Sequence, residues 1–289
     1  GIYAGDQASY DSFALLLEPI IQAYHGFSGD AVHQTDLTPV RLPELDPENK
    51  FIRSTRIRVA RNLKAFTFPC HMRLEERSRL AGTVLPVFET FSDEFKGHYV
   101  SLENGDEKVL ERLAEEKILF ARGDRFQDAG GFNRDFPKFR GVFFSENRHL
   151  RIWINEEDHL RIISQSASSD LAGVFSRLCD VLARLEARIE FCRHPRYGYL
   201  NSCPTNIGTG MRASVHICLP ALEKQPDLLH RIVTSHNLQV RGTGGEKTRV
   251  TDAVFDISNR QRLGITEKSI IETLAAGIRA IIDMEKQIA

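Results

Sequence analysis

Apolar residues recur along this chain with two periods, and the changes of period divide it into helices and strands. Phe13, Leu16, Leu17, Ile20, Ile21 and Tyr24 fall at three- and four-residue spacing, which predicts a helix capped by Asp6 or Ser9 and ended by His25-Gly26. Residues 27–50 have no period; Pro39, Pro43 and Pro47 stand among scattered polar groups and read as a linker. From Phe51 to Asn62 the period is two. Arg53, Thr55, Ile57 and Val59 share one face of a strand, and Ser54, Arg56, Arg58 and Ala60 share the other. Helical spacing returns from Leu74 to Phe91, where Pro86 should kink the helix, and again over a short segment from Val109 to Glu116. Arg140–Ser145 and His149–Ile154 read as a hairpin.

The second half is patterned more strongly. Leu171, Val174, Phe175, Leu178, Val181, Leu182, Leu185 and Ile189 give one long amphipathic helix from Asp170, with Cys179 near its apolar face as an expected core thiol. Ala213 to Leu219 alternates, and Val215 and Ile217 should face the core. A helix from Leu228 to Asn237, a strand from Leu238 into a glycine-rich loop and a strand from Val254 to Asn259 follow. Thr266 caps a closing helix that should bury Ile270, Ile271, Leu274, Ile278, Ile281 and Ile282. The pattern by itself gives an α+β fold.

Composition narrows the function. At 289 residues and 42% hydrophobic the chain can build one large domain, or one domain and a fragment. A net charge of −1 argues against a nucleic-acid or membrane coat, so neither is an expected partner, though local arginine clusters can still bind a small polyanion. Five cysteines without a C-x-x-C pair point to a reducing, cytoplasmic setting, with no zinc site and no protein-held metal. No apolar run approaches the ~20 residues of a membrane helix, and no signal-peptide pattern is seen.

Candidate chemistry concentrates between Tyr199 and Pro220. Cys203-Pro204-Thr205-Asn206 and Gly208-Thr209-Gly210 form a turn-rich loop just before Arg212. Glycines let backbone approach a ligand, and free N–H groups beside an arginine make an anion nest, whose positive field can hold Cys203 partly as thiolate. Arg56 and Arg58 point the same way, which suits a polyphosphate. Asn155-Glu156-Glu157-Asp158-His159-Leu160-Arg161 sets three acids, a histidine and an arginine at a strand end; Glu156 reads as exposed there, and the block lacks the histidine spacing of zinc hydrolases. Gly245-Glu246-Lys247-Thr248 has Glu246 where a P-loop needs glycine, so that reading fails. A nucleophilic Cys203–His216 pair is a rival reading, but it leaves Arg56, Arg58, Arg161, Arg212 and Arg241 without a role.

The run C-P-T-N-I-G-T-G-M-R-A-S-V-H (203–216) resembles the signature of the phosphagen (guanidino) kinases. So do S-T-R-I-R-x-x-R-N (54–62), N-E-E-D-H-L-R-I-I-S (155–164), L-Q-V-R-G-T-x-G-E-x-T (238–248) and the opening G-I-Y-A with D-x-x-S-Y. The resemblance implies a large antiparallel sheet flanked by helices, of the glutamine-synthetase-like kind. It divides the chain into a remnant of a small all-α N-terminal domain (1–26), a linker (27–50) and a catalytic domain (51–289). It implies reversible transfer of the ATP γ-phosphoryl group to the guanidino group of free arginine or another guanidino compound. Mg²⁺ would be held by the nucleotide rather than by the chain.

Residue by residue, the resemblance assigns ATP or ADP binding to Ser54, Thr55, Arg56, Ile57, Arg58, Lys117, Arg161, Arg212, Ala213, Ser214, Val215, His216, Arg241, Gly242, Thr243, Gly244, Gly245 and Glu246. It assigns the guanidino substrate to Gly1, Ile2, Tyr3, Glu157, Cys203 and Glu246. The implied catalytic set is Glu157, Glu246, Cys203, Arg161, Arg212 and Arg241, with the carboxylates orienting guanidino nitrogens and Cys203 acting by orientation rather than attack. Lys117 departs from the family, which has histidine there. Glu246 and M-R-A-S-V-H resemble arginine kinases, while Gly244 is similar to creatine kinases. A protein-arginine kinase, or a nucleotide-binding relative without turnover, stands as the alternative.

Overall fold

Eight antiparallel strands carry the two faces that the alternation predicts. The computed structural model describes residues 2–120, 122–242 and 252–289. Its elements run α1 (Ser9–Ser12), α2 (Ala14–His25), β1 (Ile52–Arg61), α3 (Leu74–Phe88), β2 (Gly97–Ser101), α4 (Glu107–Glu115), α5 (Arg125–Ala129), β3 (Gly141–Ser145), β4 (Leu150–Ile154), β5 (Leu160–Ser166), α6 (Leu171–Glu186), β6 (Arg193–His194), β7 (Gly198–Tyr199), β8 (Met211–Cys218), α7 (Pro226–Ser235), β9 (Leu238–Gly242), β10 (Val254–Asn259) and α8 (Glu267–Ile288). The large sheet has the order β2-β3-β4-β5-β1-β8-β10-β9, and β6 and β7 form a separate ribbon.

One face of the sheet is apolar. Ile57, Val59, Ile162, Val215, Ile217 and Ile257 are fully buried with Val174, Leu178 and Leu182 of α6 and Ile271, Leu274 and Ile278 of α8 in one core. Truncating any one of these to alanine should cost about 2–5 kcal/mol. Caps fix where both helices begin. Asp170 Oδ1 accepts from Gly173 N at 2.8 Å, and Thr266 Oγ1 accepts from Ser269 N at 3.1 Å. Cys179 packs half-buried against this core, and burial pushes its thiol up to about 12.

The N-terminal helices follow a different logic. Leu17 and Ile21 are buried, but Phe13, Leu16 and Tyr24, expected on the same inner face, are exposed. Asp6 supplies the capping acceptor for α1, to Ser9 N at 2.8 Å. Ala4, Tyr10, Leu17 and Ile21 share a second core with Phe68, Tyr197, Leu200, Ile207 and Leu263. Two hydrogen bonds tie this segment to the loop before Cys203: Ala4 N to Ser202 O at 2.8 Å and Tyr10 Oη to Asn201 O at 2.7 Å. Between His25 and β1 there is no helix or strand, yet Val40 and Leu45 are buried in the main core.

Candidate active site

The opposite face of the sheet is a belt of arginines. Across paired strands, Arg58 stands opposite Arg212, Arg56 opposite Ser214 and Ser54 opposite His216, while Ala60 stands opposite Arg161. Farther out, Trp153 stands opposite Arg161, Asp256 opposite His216 and Arg241 opposite Asp256. Arg151 stands opposite Ile163, which is itself opposite Arg58. Strand alternation therefore gathers Arg151, Arg161, Arg56, Arg58, Arg212 and Arg241, from five strands of the sheet, onto one surface. Like charges opposite one another destabilise a sheet, so this face favours a polyanion.

The belt is partly neutralised. Arg212 Nη2 lies 2.7 Å from Asp256 Oδ2, and its Nε donates to Ser258 Oγ at 3.2 Å. Arg151 donates to the carbonyl of Lys117 at 2.5 Å and to Gln165. Arg56 Nε is buried without a hydrogen-bond partner among the described residues. Burial first, and then the neighbouring arginines, hold Arg56 down to about 10 and Arg58 well below the usual guanidinium range. An anion would relieve both. His216 is held low by burial, with Asp256 opposing and Arg56 and Arg212 adding to the effect; its Nδ1 meets Ser54 Oγ at 3.2 Å.

A turn between β4 and β5 brings carboxylates to the end of the belt. Glu157 Oε2 pairs with Arg161 Nη2 and Glu156 Oε1 with Arg161 Nη1, each at 2.9 Å. Glu156 is thus an ion-pair partner, not the exposed acid that the sequence suggests. Burial works to lower Arg161, but Glu156, Glu157 and Asp158 outweigh it and hold its guanidinium high. The neighbouring motif residues are scaffold. Asp158 Oδ1 accepts from Asn62 Nδ2 at 2.7 Å and from Ser202 N at 3.1 Å, and Ser202 Oγ donates to Glu157 O at 3.2 Å. His159 Nδ1 accepts from Leu63 N at 2.9 Å, so its Nε2 donates to Thr67 O at 2.8 Å. Arg61 is buried over the Tyr199 ring, 3.4 Å from its centroid.

These bonds seat the Cys203 loop beside the acid turn. Cys203 Sγ lies 3.1 Å from Thr205 Oγ1. Burial raises its thiol above the usual range, bonds to Thr205 oppose this, and Glu157 and Asp158 raise it further. The positive field expected to favour thiolate is therefore outweighed in the chain by burial and the nearby acids. Tyr3 packs edge-on against Phe132, with centroids 4.7 Å apart. Burial and then Cys203 and Glu157 raise its phenol, which places Tyr3 within electrostatic reach of both.

Some expected residues do not present side chains to the belt. Thr55, Ile57, Ala213 and Val215 alternate onto the helix-covered face and are buried. Their main chains are committed to the β1–β8 ladder. Lys117 is exposed, and the carbonyl that Arg151 holds is its buried link to the belt. Ser54, Ser214 and His216 do lie on the arginine face, Gly242 ends β9, and Ile2, next to Tyr3, is exposed. Gly1, Thr243, Gly244, Gly245 and Glu246 lie outside the described residues. Arg151, Asp256 and Arg262 line or brace the site without having been singled out, as does Glu156, which reads as exposed in the sequence; alternation in L-R-I-W-I and V-F-D-I-S-N carries the signal for Arg151 and Asp256.

Comparison with known proteins gives one consistent family. Residues 80–288 match the model of the ATP:guanido phosphotransferase C-terminal catalytic domain. An arginine kinase of Anthopleura japonica is 41% identical over 293 residues, 99% of this chain and 41% of that protein, so the chain spans less than half of that relative. Arginine kinase Lit v 2 of Penaeus vannamei is 40% identical over 296 residues, covering 99% of this chain and 82% of that protein. A crystal structure of a lombricine kinase superposes with a TM-score of 0.94 at 33% identity, over 99% of this chain and 80% of that one. The duplicated taurocyamine kinase of Schistosoma mansoni with bound transition-state-analogue components gives 0.91 at 36% identity, over 98% of this chain and 40% of that one.

Proposed function

The chain belongs to the ATP:guanido phosphotransferase family, and from that premise we propose that it transfers the γ-phosphoryl group of ATP reversibly to the guanidino group of free arginine. The observation that carries this reading is the juxtaposition of the arginine belt with Glu157 at its end, cations for phosphate beside an acid for a guanidinium. Arg56, Arg58, Arg161, Arg212 and Arg241 hold the nucleotide phosphates and the charge that spreads over the transferring group. Glu157 and Glu246 orient the guanidino nitrogens, and Cys203 and Tyr3 complete the acceptor side.

A nitrogen–phosphorus bond forms as the bond from γ-phosphorus to the bridging oxygen breaks. The guanidino N–H proton passes to Glu157 or Glu246, leaving ADP and a phosphoguanidine. Mg²⁺ enters as part of the nucleotide substrate and neutralises phosphate oxygens; among the described residues no group of three or more His, Cys, Asp or Glu is arranged to hold a metal ion. Residues 51–289 serve as the catalytic domain, and 1–26 contribute the acceptor-side loop. Among the described residues no helix is long and apolar enough to cross a membrane. Five cysteines without a C-x-x-C pair support a reducing, cytoplasmic setting.

A second reading keeps the chemistry and changes the acceptor, because a lombricine kinase and a taurocyamine kinase share this fold closely. One experiment separates them. The chain is incubated with Mg-ATP and arginine, lombricine, taurocyamine or creatine in turn, and the product is read by phosphorus NMR. Phosphoarginine forming fastest is the expected result. Faster turnover of another compound moves the specificity there, and nucleotide binding with no product from any of them overturns the enzyme reading.

A further inference from the structure

Arg262 follows β10, lies in no helix or strand, and grips the Cys203 loop at both ends. Its main-chain carbonyl accepts from Thr209 N at 2.9 Å and from Thr209 Oγ1 at 3.1 Å. Its Nη1 donates to Thr205 O at 3.2 Å and to Asn206 Oδ1. Between these points the loop passes so close that a Cβ on Gly208, where φ is +88°, would stand 2.4 Å from the Arg262 carbonyl oxygen. The guanidinium meanwhile lines the same crevice as Arg58, Arg161 and Arg212.

Packing does not account for this arrangement. A further cation beside three arginines is repelled by them, and Arg262 Nε is buried with no hydrogen-bond partner among the described residues. The loop bonds are what the side chain makes there. They reach the chemistry in one step, since Thr205, whose carbonyl Arg262 holds, meets Cys203 Sγ through its hydroxyl at 3.1 Å. We propose that Arg262 is a positioning residue that fixes Cys203 against the end of the arginine crevice, and so aligns the acceptor with the phosphoryl group; the second half of this rests on the phosphotransferase reading. With Nη1 turned to the loop, Arg262 serves the acceptor side and not the nucleotide.

The test compares the full chain with Arg262→Ala, Arg262→Lys, Asn206→Ala and the Arg262→Ala/Asn206→Ala double variant. The first readout needs no turnover: the rate at which iodoacetamide alkylates Cys203, resolved by peptide mass. Losing a charge-assisted bond should speed alkylation about tenfold or more in each alanine variant, with little further gain in the double variant over Arg262→Ala, which already removes the bond to Asn206 along with that to Thr205 O. Arg262→Lys should restore part of the protection. The second readout is kinetic: KM for the guanidino substrate should rise while the KM for Mg-ATP stays put. Unchanged Cys203 alkylation overturns the proposal. So does a loss of Mg-ADP affinity in Arg262→Ala that adds to the effect of Asn206→Ala, which would make Arg262 a phosphate ligand. If Arg262→Ala does not fold, Arg262→Lys and Asn206→Ala give the same two readouts. A wild-type chain that phosphorylates nothing refutes the enzyme reading alone, while the alkylation rates still decide whether Arg262 holds the loop.

Discussion

Arg161 and Glu157 are joined, Nη2 to Oε2, at 2.9 Å. The carboxylate proposed to receive a substrate guanidinium thus already holds one belonging to the chain. On the proposed reading an incoming acceptor would have to displace Arg161, and a nucleotide phosphate would be the group that draws Arg161 away.

Nucleotide and acceptor should therefore favour each other's binding. Titration calorimetry should show arginine binding about tenfold more tightly in the presence of Mg-ADP, within the usual range of coupling between sites. Equal affinities with and without nucleotide would show that the ion pair does not have to open. Glu157→Gln should lower phosphoryl transfer on the order of 10²-fold or more, as expected for loss of a positioned base.

Asp256 lies 2.7 Å from Arg212, in a belt otherwise dominated by positive charge. Asp256→Asn should lower the melting temperature and enlarge the stabilisation by Mg-ATP relative to wild type. Phosphate oxygens would then supply the anion that the substitution removed. An identical ligand-induced shift in both proteins would count against a shared anion site.

Cys203→Ser should slow turnover on the order of 10²-fold, the scale of a misplaced acceptor, without abolishing it. Intact-mass analysis during turnover should find no covalent adduct on Cys203. An inactive serine variant together with a trapped adduct would establish the nucleophile reading instead.

Acid should destabilise the fold through two buried histidines. Burial holds His159 down to about 3 and His33 down to about 4. Both folded values lie below the unfolded one, so the unfolded chain binds the extra proton as pH falls. Their contribution is complete above about pH 6.5, and each loses about 1.4 kcal/mol per pH unit from there down to its folded value. Urea midpoints at pH 7, 6 and 5 should fall accordingly, and His159→Gln should flatten the slope. A midpoint independent of pH in that window would contradict the assigned neutral state.

Lys117 is exposed while its carbonyl is tied to Arg151, so the main chain and not the ammonium should matter at this point. Lys117→Ala should change the KM for Mg-ATP less than Arg151→Ala does. The reverse order would make the Lys117 side chain a nucleotide contact.

Much of this was legible in the chain. Alternation from Ser54 to Ala60 separates Arg56 and Arg58 from Ile57 and Val59, and the structure keeps that separation. The long periodic segments became α6 and α8, with the expected buried faces and, for α8, the expected Thr266 cap. The edge strand β2, Gly97–Ser101, has no fully buried face and left no clean period. The exposed Phe13, Leu16 and Tyr24 show that apolar spacing defines a helix without saying what covers it. In the site, whatever depends on one strand's alternation was readable, and whatever depends on contacts between distant segments was not. Arg262 belongs to the second kind, because only tertiary closure brings residue 262 to residues 205 and 206. The role of Glu156 likewise appears only once β4 and β5 turn it toward Arg161.

The pairing of Arg58 with Arg212 and of Ile57 with Ala213 has a consequence for how the chain avoids misassembly. A slip of one residue between β1 and β8 would press arginines into the helical layer and turn isoleucine and valine out to water. A misaligned pair of these strands would then carry uncompensated buried charge and should unpair before the error could propagate across the sheet. The charges proposed to hold phosphate should thus proofread strand alignment during folding, well before any ligand is met.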